Sequence, residues 1–313
     1  MPLPPSSSPE PSSEPVVLLT GASGYIGGRL IPRLRELPVK LRCLARNPDK
    51  LRPLVSESTQ IARGDVLDPS SLDEALQGVT TAYYLVHLMS DSKDFEKEDR
   101  QAAENFAHAA KKAGVKRIIY LGGLGNDADP KLSPHLRSRH EVGKILRNSG
   151  IETIEFRAGM VIGEGSLSFQ LMKSLTDRLP VLLCPRWLST PTQPIAVENV
   201  LNYLLAAHDL AAGESRIYEI GCPEVVTYGD LIREYARQRG LRRWLVFVPV
   251  LTPFLSGLWL ALVTPTSYQI GRHLIEGLRN PTVVRDTKAS KDFVVRPMSV
   301  KDAIERAIAG QNA

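Results

Sequence analysis

The sequence predicts an α/β protein, a doubly wound parallel sheet followed by a smaller helix-rich C-terminal lobe. Three observations carry this. Short apolar runs alternate with helical patterns from residue 16 to about residue 160, and such alternation means βαβ units around a parallel sheet. The first run, PVVLL, is apolar and bounded by turn residues, as a strand covered on both faces is. The first run ends in a glycine-punctuated turn, TGASGYIGG, that opens a helical pattern.

The elements follow in order. Residues 1–14, MPLPPSSSPEPSSE, are rich in Pro and Ser and lack the basic and apolar regions of a signal peptide; they read as a disordered tail. PVVLL supplies the first strand, VKLRCLAR (39–46) the second and TQIARGDV (59–66) the third. VTTAYYLVH (79–87), VKRIIYLGG (115–123) and IETIEFRAG (151–159) supply the fourth, fifth and sixth. Between them the clearest helix is expected over 95–113. Glu96, Glu98 and Asp99 stand early in it and Lys111 and Lys112 late, in keeping with the helix dipole. Ala102, Phe106, Ala109 and Ala110 form its apolar stripe.

Beyond residue 160 the alternation loosens into helical segments with short extended pieces such as RIYEIG. The expected division is therefore a tail (1–14), a dinucleotide-binding domain (15–160), and a substrate or lid lobe (161–313) that shares its core with that domain. Within the lobe, residues 244–270 carry no charge. Pro249, Pro253 and Pro265 break that stretch, leaving proline-free pieces well short of the roughly 20 residues a membrane span needs. A lid or pocket wall is the preferred reading, ahead of a membrane-surface or protein-docking patch and, last, a true span.

Composition narrows the function classes. The 313 residues are 43% hydrophobic and 23% charged, with a net charge of +5 and no long basic run, which argues against nucleic acid as partner. Cys43, Cys184 and Cys222 form no CxxC pair, so neither a disulfide framework nor a metal knuckle is expected, and a cytoplasmic setting fits best. The six histidines show no metal-ligand spacing.

The turn carries the chemistry. Gly21, Gly24 and Gly27 let the backbone bend sharply and approach a pyrophosphate, and the helix N-terminus then offers free N–H groups. Gly21, Ser23, Gly24, Tyr25, Ile26 and Gly27 are the expected cofactor-binding residues of the turn. In NAD-type sites an acid about 20 residues on binds the ribose 2′-OH. Here that place holds Arg46, whose guanidinium suits a 2′-phosphate, so NADP(H) is preferred over NAD(H); the competing reading is an ordinary surface arginine. Asp65 and Val66 are placed beside the adenine, with a turn cap as the alternative for Asp65.

These residues, together with ARNP, RGDVLDP, AAENFAHAAKKAGVKRIIYLGGLG, QPIAVENV, YEIGCPEVVTY and DFVVRPMSVKDAIERAI, resemble the atypical branch of the short-chain dehydrogenase/reductase superfamily. The likeness implies a Rossmann-type fold and a nicotinamide cofactor. It also implies a tyrosine and a lysine spaced YxxxK, with a serine after the fifth strand. In RHEVGK (139–144) the lysine's place falls on Lys144 and the tyrosine's on His140, while the serine's falls on Gly122 or Gly123. Lys144 is thus expected to hold the nicotinamide ribose. His140 is a candidate acid, although a structural role weighs more, because a neighbouring cation disfavours its protonation. Tyr84 and His87, ending the fourth strand, are alternative acids or packing residues, and Arg157 either orients an anionic substrate or pairs with a carboxylate.

The favoured function is an NADPH-dependent reductase of an apolar carbonyl, enone or quinone-like small molecule. The alternative is a non-catalytic NADP(H)-binding redox sensor or accessory subunit, as the resemblance to NmrA-type regulators and to the accessory subunit of respiratory complex I implies. A sugar-nucleotide epimerase ranks last, since it would need the tyrosine. A peripheral membrane location follows only if 244–270 docks there.

Overall fold

The computed structural model describes residues 14–88, 94–247 and 277–310. The expected tail, apart from Glu14, and the uncharged stretch beyond residue 247 lie outside these residues. Six strands fall on the six apolar runs: β1 (Val16–Leu19), β2 (Lys40–Ala45), β3 (Gln60–Arg63), β4 (Val79–Tyr84), β5 (Arg117–Gly123) and β6 (Glu152–Ala158). Short strands follow in the second half: β7 (Val161–Ile162), β8 (Val181–Cys184), β9 (Pro191–Thr192), β10 (Ile195–Ala196), β11 (Arg216–Ile220), β12 (Val226–Thr227) and β13 (Trp244–Phe247). The helices are α1 (Tyr25–Leu34), α2 (Pro48–Leu51), α3 (Leu72–Leu76), α4 (Phe95–Lys112), α5 (Pro134–Arg147), α6 (Leu167–Arg178), α7 (Val197–Ala206), α8 (Tyr228–Gln238), α9 (Lys288–Asp292) and α10 (Val300–Ala309).

The main sheet has seven strands in the order β11-β6-β5-β4-β1-β2-β3, every neighbouring pair parallel. The chain runs outward from β1 to β3, then returns to place β4 on the other side of β1. At that reversal the connections leave in opposite directions and open a crevice at the carboxyl ends of the strands.

Alternation along each strand sorts the core into two layers. Val17, Leu19 and Tyr83 face one side with Leu30 and Leu34 of α1 and Tyr203 and Leu204 of α7. Leu18 and Tyr84 face the other with Phe106 of α4 and Val142 and Leu146 of α5. Burying each of these large apolar side chains contributes roughly 1.5–3 kcal/mol. The segment RIYEIG goes further than a short extended piece of the lobe. Its β11 pairs with β6, Tyr218 opposite Phe156, because Tyr218 and Ile220 are buried against Phe156 and Phe293 in the first layer.

A separate cluster joins α6, α8 and α10 through Phe169, Leu175, Leu231, Tyr235 and Ile304. Beside it β8 and β13 pair in parallel. Residues 244–247 of the uncharged stretch thus form a sheet edge. No helix among the described residues is long and apolar enough to cross a membrane. All three cysteines are buried free thiols.

Candidate functional site

The glycine turn sits at the reversal point. Thr20, buried at the end of β1, donates its hydroxyl to the Tyr83 carbonyl (3.0 Å) and accepts the Leu85 N–H (3.1 Å). Those two bonds fix the spacing between the ends of β1 and β4. Gly21 then takes φ +66, a region open to glycine but strained for other residues; a Cβ there would lie 2.6 Å from the Leu85 carbonyl oxygen. Gly27, one turn into α1, lies against the Gly21 backbone so closely that a Cβ would overlap it. The helix start at Gly24 has no side-chain cap and no acid in its first turn. Its first N–H groups and their positive potential therefore face the crevice. These features form a cradle shaped for a pyrophosphate, so the residues present fit a dinucleotide.

From this cradle runs a cleft of about 520 Å³. Gly21, Ser23, Gly24, Tyr25, Ile26 and Gly27 line one end, and Arg46, Asp65 and Val66 close it after β2 and β3. Arg46 is exposed at the rim. The Asp65 carboxylate accepts the Leu67 N–H at 3.0 Å, so it caps a turn as well as lining the cleft. At the other end stand Leu85, Val86, His87 and Leu88 after β4, Gly122 and Gly123 of β5, and Ala158 and Gly159 at the end of β6. Gly122 and Gly123, where the resemblance places a serine, bring no hydroxyl to that position.

The remaining candidates are divided by their orientation. Tyr84 does not reach the cleft; it is buried in the opposite layer, 4.8 Å from the Phe106 ring centre and 6.1 Å from that of Tyr120. Burial raises its phenol far above the ordinary value, Asp99 adding to the rise, and it packs the core there. His140 and Lys144 also stand outside. They line a second cleft of about 800 Å³ between α4 and α5, with Arg147 and Arg157. The His140 ring lies between the Gly123 carbonyl (Nε2, 2.9 Å) and the Asp127 carboxylate (Nδ1, 2.6 Å). Burial and the Arg157 charge lower its pKa against the pull of those two acceptors. Arg157 pairs with Glu155 (2.7 Å) and Asp127 (2.8 Å), the carboxylate-pairing alternative for that residue.

Two side chains of α5 that the sequence reading passed over do line the first cleft, His135 and Arg139. They are four residues apart and share a helical face, while residue 140 points about 100° further round. Arg139 donates to the Val86 carbonyl (3.1 Å) and to the Leu121 carbonyl, and its guanidinium lies 4.9 Å from the Tyr120 ring centre. His135 packs on His87 with ring centres 4.8 Å apart. Burial, with Arg139 and His135, holds the His87 imidazole well below its ordinary pKa. The signal was in the sequence: HLRSR (135–139) repeats, five residues earlier, the four-residue spacing of RHEVGK.

Residues 21–177, half of the chain, match a protein family described as NAD(P)H-binding. The chain belongs to that family. Solved structures share its Rossmann-type fold. An Escherichia coli NADPH-dependent quinone oxidoreductase solved with NADPH superposes with a TM-score of 0.75 at 20% identity, over 93% of this chain and 99% of that one. A Citrobacter triphenylmethane reductase solved with NADP(H) does so with the same score at 17% identity, over 93% and 99%. In sequence, quinone oxidoreductase 2 of E. coli is 32% identical over 147 residues, 46% of this chain and 48% of that protein. The NAD(P)H azoreductase of Xenophilus azovorans is 31% identical over 114 residues, 36% and 37%. These sequence matches thus span less than half the length of either relative.

Proposed function

We propose that the protein is a reductase that prefers NADPH and delivers hydride to an apolar carbonyl, enone or quinone-like acceptor. The observation that carries this reading is the continuous cleft, from the glycine cradle to the ends of β4, β5 and β6. A bound dihydronicotinamide supplies the hydride. The chain supplies position: the α1 N-terminus and the glycine turn hold the pyrophosphate, Arg46 meets a 2′-phosphate, and Asp65 and Val66 border the adenine. At the far end Leu85, Val86, Leu88 and Leu121 line the wall, a surface that suits an apolar acceptor and excludes water. The likeness to a quinone oxidoreductase and an azoreductase supports the same class. In this reading residues 15–160 bind the dinucleotide and the lobe over 161–313 contributes to acceptor binding.

A second reading, a non-catalytic NADP(H) sensor or accessory subunit, is favoured by Gly122 and Gly123 at the serine's place and by the burial of Tyr84. The two separate in one experiment. NADPH carrying deuterium at C4 on both faces is incubated with the protein and a panel of quinones and enones, and products are read by mass spectrometry. Deuterium in a reduced acceptor is the expected result. Tight NADPH binding with no transfer to any acceptor would overturn the reductase reading in favour of the sensor.

A further inference from the structure

We propose that Arg139, with His135 and His87 beside it, is the group that acts on the acceptor, and that it restricts catalysis to acceptors reduced to a delocalised oxyanion. This inference rests on the reductase reading and names the substrate class of the same site.

At the end of the cleft formed by β4, β5 and α5, His87, His135 and Arg139 are the titratable side chains that line it among the described residues. Backbone carbonyls hold the Arg139 guanidinium, those of Val86 and Leu121. No carboxylate is bonded to it among the described residues. The nearby buried Asp99 is engaged elsewhere, accepting from the Leu88 N–H (3.0 Å) and the Ser138 hydroxyl (2.8 Å). A guanidinium stays protonated at any working pH, so Arg139 brings a fixed positive charge to this end of the cleft. In a low-dielectric wall such a charge is strongest toward an anion that develops during reaction.

The histidines complement it. His87 lines this end of the cleft, and its Nε2 is buried with no hydrogen bond among the described residues. A neutral imidazole offers a hydrogen bond to an oxygen and is a poor source of a whole proton. The site is therefore furnished to hold an oxyanion, and among the described residues it offers no strong acid to quench an alkoxide.

The chemistry that fits balances without such an acid. The C4–H bond of the dihydronicotinamide breaks as that ring is oxidised to the pyridinium. The hydride forms a bond to the β-carbon of an enone, or to one oxygen of a quinone, and the acceptor is reduced. Its π electrons move to the far oxygen, giving an enolate or a hydroquinone monoanion that Arg139 faces. Water later supplies the proton. A saturated ketone would instead yield a localised alkoxide, too basic to form without a proton donor.

The test uses the full chain with NADPH and three acceptors: 1,4-naphthoquinone, cyclohexenone and cyclohexanone. NADPH affinity is measured in parallel by fluorescence titration. The quinone or the enone is expected to show kcat/KM at least about 100-fold above the saturated ketone. Arg139→Gln should lower kcat on the preferred acceptor by about 100-fold with NADPH affinity changed little, and Arg139→Lys should restore part of the loss. Were Arg139→Gln to misfold, the Arg139→Lys and His135→Gln variants, each with lowered kcat and intact cofactor binding, give the same readout. Wild-type kcat in the variants, or a saturated ketone reduced as fast as the quinone, overturns this assignment while leaving the reductase reading in place. NADPH binding with no acceptor reduced by the wild type overturns both.

Discussion

Glu155 and Arg157 bind each other across one face of β6, Oε1 to Nε at 2.7 Å, with the carboxylate fully removed from solvent and the arginine side chain 4% exposed. The same carboxylate receives Arg147 from α5, so one buried anion answers two guanidinium groups. Removing one member of a buried charge set leaves the others uncompensated, at a cost of about 3–5 kcal/mol. Glu155→Gln is expected to destabilise the fold by that amount in urea unfolding. A loss under about 1 kcal/mol would mean that water or Asp127 already neutralises the arginines.

Arg46 offers a cleaner separation of binding from folding, since it is exposed at the rim. Arg46→Ala should leave the melting temperature unchanged and weaken NADPH binding by about 10- to 100-fold, the loss expected for a charge-assisted contact. NADH affinity should stay where it was. Titrating both cofactors into both proteins decides it, and an unchanged ratio removes Arg46 from the 2′-phosphate site.

Gly27 and Gly28 are neighbours on α1 with opposite tolerances. A Cβ at Gly27 would overlap the Gly21 carbonyl, whereas one at Gly28 would lie 3.6 Å from the Ala22 oxygen, an ordinary contact. Gly28→Ala should therefore be neutral, or stabilising by up to about 1 kcal/mol. Gly27→Ala should abolish measurable NADPH binding. Equal cofactor affinity in the two variants would contradict the close packing of the turn.

The histidines set the pH response. His87, His140 and His208 all have lowered pKa values, burial being the main cause in each. Below the unfolded value of about 6.5 the unfolded chain binds more protons than the folded one, so stability rises with pH there. Their contribution is present above that value and is lost as the pH falls toward the folded pKa values. Unfolding free energy should accordingly drop between pH 7.5 and pH 5.5, with a shallower slope in His140→Asn. Greater stability at pH 5.5 than at pH 7.5 would contradict this.

Much of this was legible in the residues. Short runs rich in apolar residues locate β1 to β6, most plainly β1 and β4, whose residues are almost all buried, and the turn locates the cradle because only glycines allow its closeness. The phase of α5 was harder to read. His135/Arg139 and His140/Lys144 share the same spacing, and spacing alone does not say which pair turns toward the cleft. Packing decides it: Leu136, Val142, Gly143 and Leu146 are buried, and the helix rotates to suit them. Tyr83 and Tyr84 pose the same problem on a strand, where adjacent residues take opposite faces. The seventh strand was obscured by distance, since β11 pairs with β6 across some sixty residues of intervening chain.

That distance has a consequence for how the protein is made. Until residue 220 has left the ribosome, β6 is an unpaired edge, with Phe156 and Ile154 lacking the cover that Tyr218 and Phe293 later provide. An open, apolar edge of this kind invites pairing with other chains. A polypeptide cut at residue 160, however natural that boundary looks, is expected to emerge as a chaperone client or an aggregate. The nascent protein becomes safe only when its later half arrives to seal the earlier one.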